Sequence, residues 1–312
     1  IPKINTSVNV GRGVYLVYRG NRSNYDAKVN SPYTDPESMV ITYKGNLNQQ
    51  DITVPLVHGS TGFSMLGNPY AATIDWQAVA KTGNVGDIVR VWNPEFKQYA
   101  SYNGEFGVNG GGRYIAPGQA FFVQTTDNNS PSVTFKESSK VSQSSQSTPL
   151  YNTVMSINEQ KNVPKSANSA VSVHNDLGSL GVFQKQPSLI RMRLNRKGTN
   201  NSDETLLVLK SNELATVSGK DVTKMSGEIV SLSSFSQESR KMAINYMPHV
   251  SEIQNVRLSV GADSTGTYTL SSALEYIPFG YQAKLKDKYL NSVVDLERQN
   301  TEYTFSIDKG NP

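Results

Sequence analysis

The chain has 312 residues, of which 18% are charged, with a formal net charge of +4 and no cysteine. That length is enough for two domains with full cores, and the missing thiols exclude disulfide staples and thiolate metal sites, so burial must hold the fold together. The mild, dispersed positive charge argues against a nucleic-acid binder, and no apolar run reaches the roughly eighteen residues of a membrane helix.

In chain order, Val14 to Tyr18 are β-formers stopped by Arg19-Gly20-Asn21-Arg22, and Asn30 to Pro36 reads as a loop. Strands are predicted over Met39–Tyr43 and over Asp51–Val57, where Pro55 points to an edge or a strand end. The stretch from Gly62 to Thr125 holds both tryptophans and reads as the core of a first domain. Within it, Phe63 to Leu66 is a strand and Gly67-Asn68-Pro69-Tyr70 a turn. Thr73 to Lys81 is predicted as a short helix, because Ile74 and Ala78 lie four apart and would share its buried face. Ile88–Trp92 and Lys97–Tyr102 follow as strands, and the glycines from Gly107 to Gly112 read as a flexible loop. Pro117-Gly118 then turns the chain into Ala120–Thr125, and Ser132–Phe135 closes the domain.

Residues 136–188 break this pattern. Ser138 to Ser147 is rich in Ser and Gln and gains little by folding, so the segment reads as linker and irregular loop. From Leu189 onward alternation is cleaner: Ile190/Met192/Leu194, Leu207/Leu209, Val256/Leu258/Val260, Tyr268/Leu270 and Tyr303/Phe305/Ile307. Lys220 to Met225 is predicted as one helical turn capped by Asp221. No helix is long enough for a βαβ crossover. The fold expected is all-β: two antiparallel β-sandwich or jelly-roll-like domains, 1–135 and 189–312, joined by 136–188, with very few short helices.

The candidate sites are weighed against plainer roles. His58, His174 and His249 are far apart with no second histidine at ligand spacing, so no metal centre is expected. No nucleophile elbow, HExxH or P-loop pattern occurs, and no cofactor is implied. The oxygen-rich loops Asp127-Asn128-Asn129-Ser130 and Asp263-Ser264-Thr265 lack the acidic spacing of a calcium loop and read as ordinary turns. Asp203 and Glu204 are adjacent, and neighbours on a strand point to opposite faces, so they are not expected to meet as a glycosidase pair. Arg191 and Arg193 alternate with apolar residues, as on the wet face of a strand. The best binding candidates are the aromatics around the flexible glycines: Trp92, Tyr99, Tyr102, Phe106 and Tyr114. Two readings stand for them, core packing and a recognition face for sugar rings or partner proteins, with Tyr99 and Tyr102 expected to be the most exposed.

One resemblance rests on these residues. Leu66-Gly67-Asn68-Pro69-Tyr70 with Ile74-Asp75-Trp76, then Ile115-Ala116-Pro117-Gly118-Gln119-Ala120-Phe121-Phe122-Val123, resembles a pattern in large secreted surface proteins of Bacteroidetes. Those proteins leave the cell by the type IX secretion system. Asp203-Glu204-Thr205, Ala243-Ile244-Asn245, Gly266-Thr267-Tyr268-Thr269-Leu270 and Leu285-Lys286-Asp287-Lys288 fit the same pattern, over roughly 11–135 and 189–307. The resemblance implies a secreted protein held at the outer cell surface. Its partners would be a surface glycan or another surface protein, and it would engage the secretion machinery through a C-terminal sorting domain following Pro312. The activity expected, from the lack of a nucleophile–base or metal constellation and from the aromatic, glycine-containing loops rather than from the resemblance, is adhesion or assembly without catalysis; the alternative is an accessory or spacer role beside a polysaccharide-degrading hydrolase.

Overall fold

A computed structural model of the protein describes residues 7–15, 20–21, 23–30, 37, 45–141, 186–211, 213, 216–225, 227, 229–249, 254–296 and 301–310. The strand expected over Met39–Tyr43, most of that over Val14–Tyr18, and 142–185 of the linker lie outside these residues. Among the described residues there is one five-residue helix, α1 (Tyr25–Val29). Strands, short turns and connections make up the rest, so the fold is all-β.

The strands run β1 (Ile52–Pro55), β2 (Phe63–Gly67), β3 (Ile74–Asp75), β4 (Ala80–Lys81), β5 (Val89–Asn93), β6 (Gln98–Tyr102) and β7 (Gly107–Val108). They continue with β8 (Tyr114–Ile115), β9 (Ala120–Gln124), β10 (Ser132–Phe135), β11 (Ser188–Arg196), β12 (Ser202–Lys210) and β13 (Val222–Thr223). The last are β14 (Val230–Phe235), β15 (Lys241–Pro248), β16 (Leu258–Ala262), β17 (Gly266–Glu275), β18 (Ala283–Asp287), β19 (Ser292–Leu296) and β20 (Thr301–Ile307).

Two compact units emerge: 1–85 with 114–146, and 86–113 with 147–312. The boundaries therefore differ from the expected 1–135 and 189–312, because the segment carrying β5–β7 packs with the C-terminal strands. The reason is apolar: Val108 is buried in one cluster with Leu206, Val208, Val222, Ile244 and Tyr246. At the other boundary, Lys136 to Val141 is ordered within the first unit, with a 3-10 turn at Glu137–Ser139 and a bridge from Lys140 to Ile74.

In the first unit β10 sits between β1 and β4, and β2 and β3 pair antiparallel with β9 and β8. Alternation decides which side chains go inward. On β9 Phe121 and Val123 are buried while Ala120, Phe122 and Gln124 are half-buried. Trp76 meets Phe121 edge-on at 5.3 Å, and Phe121 meets Phe135 at 6.4 Å. Each fully buried ring or aliphatic side chain here contributes roughly 1.5–3 kcal/mol.

Asn68 ties this unit together. Its side-chain nitrogen donates to the carbonyls of Ala72 (2.9 Å), Ile115 (3.1 Å) and Ala116 (3.0 Å), and its oxygen accepts the Tyr70 N–H (3.0 Å). Its backbone N–H donates to Gln119 O, and Gln119 Oε1 accepts from Ala116 N. The two sequence patterns at 66–70 and 115–123 are thus one hydrogen-bonded knot. The helix expected over Thr73–Lys81 is not formed. Ile74 and Asp75 pair as β3, Ala80 and Lys81 as β4, and only a 3-10 turn at Trp76–Ala78 lies between, capped by the Asp75 carboxylate on Gln77 N.

In the second unit the main sheet runs β16-β14-β15-β12-β11-β17-β20, with β13 pairing on β15. All its pairs are antiparallel except β12 with β15, which run parallel. One core gathers Met192, Leu194, Val230, Leu232, Tyr268 and Leu270, against which Leu285 and Leu296 of the β18–β19 ribbon pack. The other is the cluster around Val108. The helical turn expected at Lys220–Met225 is instead β13, and Asp221 accepts from Ser218 N and Tyr246 N.

Candidate ligand-binding site

The five aromatics singled out in the sequence do not share one surface. Trp92 and Tyr99 are opposed on β5 and β6, their rings edge-on at 5.1 Å, and both are half-buried. Tyr102 is only 7% exposed, its hydroxyl donating to Gly104 O, which overturns its expected exposure. Phe106 packs on the Val108 cluster, 6.4 Å from the Tyr246 ring. Tyr114 belongs to the first unit, where it pairs with Asp75 in the β3–β8 ladder. Side chains on a paired, half-covered strand face are drawn into packing, and that is where four of these five reside.

The glycine loop is also not the free element expected. Gly107 and Val108 pair with Tyr102 and Ser101 as β7. A Cβ at Gly111 would lie 2.2 Å from the Ser101 carbonyl oxygen, so glycine is there to let two backbones touch. Asn109, fully buried with φ of 55°, completes the turn.

Around Asn109 the two adjacent carboxylates converge after all. Asn109 Nδ2 donates to Asp203 Oδ1 (2.9 Å), and its backbone N–H donates to Glu204 Oε2 (2.6 Å). Glu204 also faces Arg191 and Arg193 at 3.5 and 3.6 Å, which corrects the purely wet reading of those arginines. Asp203 contacts Lys224 directly, and burial pulls the Lys224 ammonium's pKa below its ordinary value against the opposing pull of Asp203. Both acids thus hold another residue rather than flank an open cleft. Nearby, Tyr246 donates its hydroxyl to Glu105 (3.0 Å) and receives Asn103 Nδ2 (3.2 Å); burial pushes its phenol pKa upward.

Among the described residues the most exposed large hydrophobic side chain, Phe279, lies elsewhere, between β17 and β18. Tyr276-Ile277-Pro278-Phe279-Gly280-Tyr281 makes a tight turn in which Tyr281 N donates to Pro278 O at 3.2 Å. Gly280 carries φ of 88°, the positive value required at the third position of a type II turn. Phe279 therefore sits at the apex, 102% exposed, with Tyr276 and Tyr281 exposed beside it. Below the turn is an open groove of ≈ 330 Å³, floored by Leu274, Ile277, Tyr281 and Leu296, with Gln282 and Asp295 as its polar groups. The His249 ring braces Tyr281 at 4.8 Å, and Asp295 pairs with exposed Lys284 at 2.9 Å. The groove is open to solvent rather than enclosing, so it offers a contact face with an apolar floor and a few polar groups. The arrangement can stack a flat apolar face on Tyr281 or Phe279 and hydrogen-bond hydroxyls or amides at Gln282 and Asp295.

The Tyr276–Tyr281 loop is not among the sites expected from the sequence. The available signal was three aromatics in six residues on a Pro-x-Gly turn between two strands. The loop at Asp127 is an ordinary turn, its carboxylate accepting from Asn84 and Asn129 N. Among the described residues no group of three or more His, Asp or Glu side chains is placed to hold a metal ion. No helix among them is long and apolar enough to cross a membrane.

No protein-family model matches the chain, and no curated protein or solved structure matches it.

Proposed function

We propose that the chain is a non-catalytic adhesion or assembly module that binds a surface glycan or a partner surface protein through the Tyr276–Tyr281 loop and its groove. The observation that carries this reading is Phe279, held fully in solvent at the apex of a turn whose geometry is fixed by Pro278 and Gly280. A water-exposed phenylalanine contributes nothing to a core, and rigid aromatics on a β-scaffold make contacts at little entropic cost. The resemblance to type IX cargo supports a secreted protein at the outer cell surface, where glycans and sister proteins are the available ligands.

Binding of the purified chain to immobilised polysaccharides, envelope fragments and sister surface proteins is the test, alongside a turnover assay on the same polysaccharides. Saturable binding without turnover is the expected result. Turnover abolished by one carboxylate substitution would replace this reading with a hydrolase. Absence of any binding would leave the two units as spacers beside a neighbouring functional domain.

A further inference from the structure

Among the described residues of the second unit, the most enclosed charged contact joins Lys224 to Asp203. Their side chains are 4% and 0% exposed, and the amine nitrogen lies directly against Asp203 Oδ1. That oxygen also accepts Asn109 Nδ2 at 2.9 Å and the Glu204 backbone N–H at 2.9 Å, while Oδ2 accepts the Leu232 N–H at 2.6 Å. Leu194, the cross-strand partner of Asp203, and Leu232 are fully buried. An amine and a carboxyl group are thus held in contact, out of water, with donors already placed on both oxygens. The binding loop and groove make no use of them.

We propose that Lys224 and Asp203 are a modification site, joined by an intramolecular amide bond that the folded chain forms itself with loss of one water molecule. The ammonium passes one proton to Asp203 Oδ1, and the neutral amine attacks Cγ, forming the N–C bond. Negative charge develops on Oδ2, where the Leu232 N–H is already aimed, as a preorganised oxyanion donor should be. Collapse breaks the Cγ–Oδ1 bond. Oδ1, already carrying one proton, takes a second from the nitrogen and leaves as water, assisted by the Asn109 and Glu204 donors. The products are one secondary amide and one water, with no oxidant, reductant or cofactor.

Three physical features favour the step. Fixed contact replaces a collision, and well-oriented intramolecular reactions reach effective concentrations of about 10⁵–10⁸ M. Burial depresses the pKa of Lys224, enlarging the share of nucleophilic neutral amine. An ion pair in the interior bears a desolvation cost that a neutral amide does not, and dry surroundings keep water from reversing the reaction.

Intact-mass spectrometry of the folded full chain tests this. The expected mass is lower than that of the sequence by one water, about 18 Da, and digestion should yield a branched peptide joining the segments that carry Asp203 and Lys224. Lys224→Arg retains the charge without the amine and should restore the full mass. A full mass for the native chain after prolonged incubation in the folded state overturns the proposal. So does a mass loss that persists in Lys224→Arg or maps to any other pair of residues.

Discussion

Replacing Asn68 by alanine removes the knot of the first unit. The side chain makes four hydrogen bonds inside the protein: three carbonyls share its amide nitrogen, and Tyr70 N–H uses its oxygen. A buried neutral hydrogen bond contributes about 1 kcal/mol net, so four give a loss of about 4 kcal/mol, with about 1–3 kcal/mol at stake for each group left without a partner. Ala116 O keeps a second donor, Gln119 N, which holds the cost near the lower end for that carbonyl. Asn68→Asp keeps the shape and the Tyr70 acceptor but turns a carboxylate oxygen toward three carbonyls, so it should be at least as damaging at neutral pH. The two tryptophans fall in different units: Trp76, fully buried, in the first, and Trp92, half-buried, in the second. Urea unfolding followed by fluorescence in a Trp92→Phe background therefore reports the first unit. A loss below about 1 kcal/mol for Asn68→Ala, or an Asn68→Asp variant as stable as the native chain, would refute this account of the motif.

Two further outcomes follow from the second unit. Gly111→Ala places a Cβ against the Ser101 backbone, so β7 should detach, seen as faster amide exchange at Gly107–Val108 and a lowered Tm. If Gly111→Ala is neutral, the close approach is not a constraint. At the β18–β19 turn, Asp287 accepts the Leu290 N–H, the Tyr303 hydroxyl and the Tyr289 N–H, which hold its carboxyl below the ordinary 3.8. The stabilisation is therefore complete above that value and lost as pH falls through the lower folded pKa. Measured against the intrinsic exchange rate at each pH, amide protection at this turn should fall on acidification in the native chain, and should be low and independent of pH in Asp287→Asn.

Much of the strand layout is legible because period-two alternation is enforced by one-sided burial: Met192 and Leu194 face a core, and Tyr268 and Leu270 on β17 alternate the same way. Misreadings arose where two-residue pairings replaced longer elements. Ile74 and Ala78 satisfy helical spacing, yet Ile74 is buried opposite Ile115 in a ladder that no local pattern announces. Val222 and Thr223 are β-branched and pair with β15, which outweighs the capping signal of Asp221. The glycines at 107–112 suggest a flexible loop, whereas Gly111 is required by close backbone approach to Ser101. Asp203 and Glu204 were separated by the alternation rule, but both reach Asn109, whose left-handed turn brings an amide and a backbone N–H to the same place. Such convergence depends on residues about a hundred positions apart and leaves no mark on local sequence. The proposed binding loop, by contrast, is legible in Tyr276–Tyr281, where three aromatics stand in six residues on a Pro-x-Gly turn.

The most direct measurement compares binding of the native chain with that of a Phe279→Ser, Tyr281→Ala variant and of Tyr99→Ala, on the same panel of polysaccharides, envelope fragments and sister surface proteins. Loss of at least about tenfold in affinity, or about 1.4 kcal/mol, is predicted for the loop variant, with Tyr99→Ala unchanged because Tyr99 is engaged by Trp92. A folded loop variant that binds as tightly as the native chain, or loss of binding in Tyr99→Ala alone, would contradict the assignment of the ligand site to the Tyr276–Tyr281 loop.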